Sequence, residues 1–337
     1  MVTRREVAAL AGVSVATVSN VFLGKPVSPG KAVRVREAAE QLNYVPNHTA
    51  RSLSLGRNNH IGIVLHECTN PYHMEIVRSI EENAVKRDYM VTVFLLENAL
   101  SDNLNLIKSR KMDALINMST DSFPEKVLQL LFDDGTVLAD FGSKWGVGFA
   151  HPYTKAIEAV FARLAEGGHK TVGYVSTLDR LLFSCDERGV AFEQGRRRHG
   201  MCPDADLIEY NQSHTVLSEE VGYNGFKQLF ARRNDLTAVF CTNDMAAIGV
   251  LRAAADLGLR VPDDLSVIGC DDVNLASMVI PRLTSLHFDR EEFGRLIAGE
   301  VIRLIETRQT GAGQSFGVEV TPVFRDSVGP ARRSRKA

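Results

Sequence analysis

"EVAALAGVSVATVSNVF", residues 6–22, holds small apolar residues, hydroxyls, one glycine and a single charge. Just ahead of it, Thr3-Arg4-Arg5-Glu6 has capping-box spacing: the Thr3 hydroxyl can accept from the Glu6 amide while the Glu6 carboxylate reaches back to the Thr3 amide. A helix therefore starts here, with Val7, Ala8 and Ala11 along one side. Gly12 supplies a turn that tolerates positive φ. Ser14 can cap a second helix, whose inward face is Val18 and Val21 with Val13 just before it. A small residue at Ala8 lets the two helices cross closely, so the stretch reads as a helix-turn-helix. Ser28-Pro29 reads as an N-cap and first helical residue, and Ala32, Val35, Ala39 and Leu42 give a third helix a stripe that packs on the first two. Three short helices close one miniature core.

Charge sets this head apart from the rest of the chain. Residues 1–58 hold eight Lys/Arg against three Glu, a balance of +5, whereas the whole chain of 337 residues carries −2, so the remainder carries −7. A small basic head on an acidic body suits a polyanion-binding module joined to something else. The length exceeds what one core usually holds, and 45% hydrophobic with 24% charged residues is ordinary globular composition. No apolar run approaches the roughly 20 residues that span a bilayer. "MVTRREV" has none of the apolar stretch of a signal peptide, which places the protein in the cytoplasm. The five cysteines, Cys68, Cys185, Cys202, Cys241 and Cys270, stand far apart without C-x-x-C or zinc spacing, and read as reduced thiols.

After the head comes "YVPNHTARSLSLGRNNHIGIVL". Pro46 stops the third helix, Asn47 can cap another, and about eight residues later Gly56 ends it, a length that is marginal without a partner to pack on. "REVAALAGVSVATVSNVF" followed by "YVPNHTARSL" resembles the head and hinge of the LacI/GalR family of bacterial transcriptional regulators, and the similarity continues through nearly the whole chain. The resemblance implies that the second helix enters the major groove of double-stranded DNA, and that hinge helices from two subunits lie together in the minor groove. There a leucine wedges between base pairs and bends the duplex. The matching leucine is Leu53, with Ala50 and Asn47 on the same short segment. The family's base-reading positions fall on Val15 and Ala16, with Asn20 one turn on. Val15 and Ala16 can touch only apolar features such as a thymine methyl, whereas Asn20 can bridge to a base edge or a phosphate. Thr3, Ser14, Thr17 and Ser19 complete the implied DNA contacts, hydroxyls being suited to phosphates. Leu23 departs from the family, which usually carries a backbone-contacting Asn there, and the following loop is shorter.

The remainder alternates strand-like runs ("HIGIVL", "VTVFLL", "DALINM", "TVLADF", then "TVGYVS", "DLIEY", "TAVFCT", "LSVIGCD") with amphipathic stretches such as "PYHMEIVRSIEENAVKR" and "DMAAIGVLRAAADLG". This is βαβ grammar in two halves, hence parallel sheets covered on both faces. Neither G-x-G-x-x-G after the first strand nor a Walker A motif occurs, so no cofactor is expected. "GAGQSFG" at 311–317 reads as a loop. The expected architecture is thus an N-terminal all-α helix-turn-helix head plus an α/β bilobal body, by resemblance periplasmic-binding-protein-like, with two doubly wound parallel sheets. The boundaries expected are 1–46 for the head, 47–58 for hinge and linker, and 59–330 for ligand binding and dimerisation, with 331–337 a basic tail. Within the body the first subdomain takes about 59–153 and 286–312, and the second about 154–285 and 313–330.

Ligands in such sheets sit at the carboxyl ends of strands. The resemblance carries Tyr72 and His73, after "HIGIVL", onto effector-pocket positions, with Phe141 after "TVLAD", Arg188 in "SCDERGV", Asn243 ending "AVFCTN" and Asp271 ending "SVIGCD". An Asp beside an Arg suits a polyol, one accepting and the other donating. "FAHPYTKA" departs from the acidic, Gly-rich stretch usual in the family, so the rim near His151 is particular to this chain. The function expected is a homodimeric, sequence-specific DNA-binding regulator, a repressor, controlled by a small molecule such as a sugar between two lobes. A transport solute-binding protein is the alternative, set against by the basic head. Adjacent carboxylates such as Asp271-Asp272 point to opposite faces of a strand and form no acid/base pair, so no enzyme and no metal site is expected.

Overall fold

The computed structural model describes residues 2–44, 57–95, 107, 111–119, 123–141, 145–212 and 217–332. Two compact units make up the chain, residues 1–60 with 111–113, and 61–110 with 114–337. Asn47, Ala50 and Leu53, most of the 47–58 hinge, and tail residues 333–337 lie outside the described residues.

In the first unit, helices α1 (Arg4–Ala11), α2 (Val15–Phe22) and α3 (Pro29–Gln41) form the head. The capping box is present in full: Thr3 Oγ1 accepts from the Glu6 amide and Glu6 Oε2 accepts from the Thr3 amide at 2.7 Å. Gly12 takes φ +61°, the left-handed turn that ends α1. Ser14 Oγ accepts from the Thr17 amide at 3.1 Å and so starts α2. Ser28 stands at the N-cap of α3 without a capping side-chain bond, and Pro29 sets the first turn. Val7, Ala8, Ala11, Val18, Val35, Ala38 and Ala39 are buried as one core, closed by Phe22 and Tyr44, whose rings stand 5.7 Å apart.

The second unit is α/β. Its larger sheet runs β11–β5–β4–β3–β1–β2, with β1 (His60–Leu65), β2 (Met90–Leu95), β3 (Ala114–Asn117), β4 (Val137–Asp140), β5 (Val147–Phe149) and β11 (Ser315–Phe316). The β1–β3–β4–β5–β11 pairings are parallel. All six residues of β1 are buried, as a central strand covered on both faces requires. Helices α4 (Pro71–Val85), α5 (Glu125–Asp133) and, from the far end of the chain, α11 (Arg290–Thr307) pack with this sheet. The smaller sheet, β7–β6–β8–β9, is parallel throughout, with β6 (Val172–Ser176), β7 (Ile208–Tyr210), β8 (Ala238–Cys241) and β9 (Ser266–Ile268). Its helices are α6 (Tyr153–Glu166), α7 (Arg180–Cys185), α8 (Glu187–Arg198), α9 (Ser218–Arg232) and α10 (Asp244–Asp256). Helices α9 and α10 cross at contact distance because Gly222 lies against the Ala246 carbonyl and Gly249 against the Glu219 carbonyl. A Cβ at either would come within 2.0 Å of backbone oxygen. β10 (Ser285–His287) and β12 (Thr321–Val323) pair antiparallel as a separate ribbon.

One boundary is corrected. The stretch 313–330 does not belong wholly to the second subdomain, and "GAGQSFG" is not all loop. Ser315 and Phe316 pair in parallel with Gly148 and Phe149 and extend the larger sheet. Neither two-residue β11 nor three-residue β5 is long enough to show alternation, so their pairing is a product of tertiary closure. Among the described residues no helix is long and apolar enough to cross a membrane.

Candidate functional sites

On the head, the first turn of α2 is presented outward. Val15 is 41% exposed and Ala16 is exposed, while Val18, one turn on, is fully buried. Capping by Ser14 at the start of α2 and anchoring by Val18 within it fix which residues face away from the core. Thr17 and Asn20 are half-buried on the same helix. Ser14 and Thr17 hydroxyls also bond each other at 2.9 Å. Ser19 Oγ accepts from Arg4 at 3.2 Å, which leaves its own proton available to donate. Thr3 differs: its hydroxyl accepts from the Glu6 amide and donates to Glu6 Oε2 at 2.8 Å, so it is committed to the cap. A shallow concavity opens between Ala8, Gly12, Ser14, Thr17 and Lys31, and Lys31 was not foreseen from the sequence. It adds a cation beside the amide-rich start of α2, an arrangement that attracts phosphate. Leu23 caps the end of α2 with its amide on the Ser19 carbonyl, a backbone role open to any side chain.

In the second unit most of the sequence-derived effector residues draw together. Arg188, at the start of α8, is held by Asp186: Nε and Nη2 donate to its two carboxylate oxygens at 2.9 and 2.7 Å, and Nη1 donates to the Thr242 carbonyl at 2.9 Å. Three of five N–H donors are thus used among the described residues. Burial opposes the charge on Arg188, but Asp186 outweighs it and keeps the guanidinium firmly protonated. Reciprocally, Arg188 holds the Asp186 carboxyl below its usual range against burial. The guanidinium lies over the Tyr153 ring, 5.7 Å from its centroid.

Asp271 is 3% exposed and adopts φ +108°, just beyond β9. Burial pushes its carboxyl up to about 7, with Arg188 and Arg290 pulling the other way. Arg290 donates to the backbone carbonyls of Asp271 and, at 3.0 Å, Asp272, and its Nε bonds Glu75 Oε2 at 2.6 Å. Tyr72, at the start of α4, is pushed up by burial and by Asp271. Its ring meets Phe288 edge-on at 5.8 Å and His73 at 4.9 Å. Burial, then the neighbouring His66, lowers His73 to about 4. Phe141 is 45% exposed and packs edge-on against Phe149 at 5.4 Å. Asn243 serves the fold: its oxygen caps α10 by accepting from the Ala246 amide at 2.8 Å, and its amide donates to Ser218 at 3.2 Å.

Several participants were not named from sequence. Asp186 could have been, as an acid two residues before Arg188 at a helix start. Tyr153, Phe288, Phe293 and Arg290 carry no local signal, because segments distant along the chain bring them to the site.

Residues 3–47 match the family model described as bacterial regulatory proteins, lacI family, and residues 161–328 match a periplasmic binding protein-like domain. The HTH-type transcriptional repressor PurR of Haemophilus influenzae (strain PittEE) is 28% identical over 340 residues, covering 97% of this chain and 99% of that protein. The ribose operon repressor of Escherichia coli (strain K12) is 29% identical with the same coverage. Among solved structures, the lac repressor dimer bound to operator and the anti-inducer ONPF has a TM-score of 0.79 at 22% identity, over 97% of this chain and 99% of that one. A lacI-family regulator from Enterococcus faecium with bound ribose has a TM-score of 0.70 at 20% identity, over 81% of this chain and all of that one. Family members are transcriptional repressors rather than enzymes, and the helix-turn-helix head sets the chain apart from a transport solute-binding protein. The outward first turn of α2 on a basic head, joined to a two-sheet α/β unit that gathers Tyr72, Arg188 and Asp271, is thus the plan of a ligand-controlled DNA-binding regulator, with a lacI-family head followed by a periplasmic binding protein-like domain.

Proposed function

We propose that α2 enters the major groove of a pseudopalindromic operator. Val15 and Ala16 meet apolar base features, Asn20 supplies the polar base contact, and Ser14, Thr17, Ser19 and Lys31 hold phosphates. The outward first turn of α2, anchored from beneath by Val18, is the observation that carries this assignment. Thr3 acts by starting α1 rather than by lending a hydroxyl. Asn47, Ala50 and Leu53 are assigned to a hinge in the minor groove on the sequence resemblance alone.

The second unit binds a small molecule, such as a sugar or sugar derivative, through Tyr72, His73, Phe141, Arg188 and Asp271, with Asn243 holding α10 in place beneath them. A homodimer in the cytoplasm couples that binding to the spacing of two hinges, and hence to operator affinity. The lac repressor dimer on operator and the ribose-bound regulator are the solved likenesses that support this reading. Gel shifts with palindromic against random duplexes, with and without sugars, test it: preference for one palindrome that a sugar alters is expected, and equal affinity for every sequence refutes it.

A further inference from the structure

The His151 ring is 3% exposed, and among the described residues neither of its nitrogens makes a hydrogen bond of full geometry, although the Val318 backbone bears on it. The ring lies 4.3 Å from Phe288 at a shallow 31° and 4.4 Å from Phe293. Tyr153 is 5.9 Å away and Phe141 6.3 Å. An aromatic slot of this kind would accept a phenylalanine at no polar cost. A buried imidazole instead leaves one donor and one acceptor stripped of water, which is expensive unless another group completes them.

The surroundings identify that group. His151 belongs to the same layer as the effector residues: Phe288 touches both His151 and Tyr72, and Tyr153 touches both His151 and the Arg188 guanidinium. Tyr72 in turn touches His73, whose Nδ1 is likewise buried without a hydrogen-bond partner among the described residues. The charges nearby are already matched: Arg188 by Asp186, Arg290 by Glu75, and Asp272 by Arg325 at 2.6 Å. A ligand anion arriving here would meet an Arg188 charge that Asp186 already balances, and would face Asp271 as well. An uncharged ligand faces neither penalty, and a ring with a flat C–H or π face matches the aromatic layer.

We infer that His151 is a specificity-determining residue of the effector site, and that the effector is an uncharged ring compound whose polar edge completes the hydrogen bonds of this imidazole. This rests on the effector reading above. Burial, then Arg188, with the Val318 backbone opposing, lowers His151 to about 4, so the ring offers one donor and one acceptor at neutral pH.

The test uses the full-length protein at pH 7.5, following unfolding temperature and binding heat with matched probes: ribose against ribose 5-phosphate, glucose against glucose 6-phosphate, adenosine against AMP, and cellobiose. The sugar and nucleoside arms separate the two sources of such a ring. At least one uncharged probe is expected to bind more tightly than its phosphorylated partner. His151→Phe is expected to weaken that probe at least tenfold without lowering the unfolding temperature of the ligand-free protein, and His151→Gln to recover part of the loss. Tighter binding by a phosphorylated probe, equal affinity of wild type and His151→Phe, or no binding by any probe overturns the inference. Binding that depends on His151 but leaves operator affinity unchanged instead upholds it and refutes the regulatory reading.

Discussion

Asp271→Asn tests the electrostatics of the body most directly. Asp271 is 3% exposed, and burial moves its carboxyl from 3.8 up to about 7. The folded state therefore holds this proton more tightly than the unfolded chain does. The stability tied to it is present at acid pH and is lost as pH rises from about 4 to about 7. Asparagine keeps the shape and removes the titration. A shift of about three pKa units corresponds to about 4 kcal/mol once the folded group has ionised, and at pH 5 only the smaller part of that cost has developed. The variant should thus gain about 2–3 kcal/mol more at pH 8 than at pH 5. At roughly 2–4 °C per kcal/mol, its advantage in unfolding temperature widens by about 5–10 °C between the two pH values. Thermal unfolding of ligand-free protein measures this. An advantage that is the same at both pH values, or larger at pH 5, would refute the placement of a buried, partly protonated carboxyl here.

His151→Phe tests the opposite sign: a histidine lowered to about 4 contributes stability that is full above about 6.5 and lost as pH falls toward 4, so the variant should resist unfolding at pH 5 by about 2 kcal/mol more than at pH 7.5. Asp186→Asn leaves the Arg188 guanidinium buried without its counter-charge and should lower stability by about 3–5 kcal/mol, read by urea unfolding, while Arg188→Met added to it should restore most of the loss. Ser14→Ala removes the α2 cap and should cost the head about 1 kcal/mol, with DNA affinity falling alike for operator and random duplex in gel shifts. Leu53→Ala should instead weaken operator binding far more than random-duplex binding, since bending by a wedge is a sequence-dependent cost; equal losses would count against that role.

Local rules were enough for the head. Thr3, Glu6, Gly12 and Ser14 act within a few residues of themselves, so the helix ends could be read from the sequence and recur in the structure as capping bonds and a left-handed turn. The long parallel strands were legible too, because a strand covered on both faces must be a continuous apolar run, as "HIGIVL" is. What the sequence left open lies where segments distant along the chain meet. It could not show β11 adding to the larger sheet, since two residues carry no period. Arg188 was recognisable in sequence, but its clamping by Asp186 and the Thr242 carbonyl was not. Asn243 could be a cap or a ligand contact until packing of α9 against α10 gave its amide Ser218 as a partner. A lone histidine in "FAHPYTKA" had no evident role until tertiary closure buried it among Phe288, Phe293 and Tyr153, with neither nitrogen in a hydrogen bond of full geometry among the described residues. Capping, periodicity and turn chemistry are local and written residue by residue, whereas desolvation and charge pairing depend on every neighbour at once, and only the folded chain supplies those neighbours.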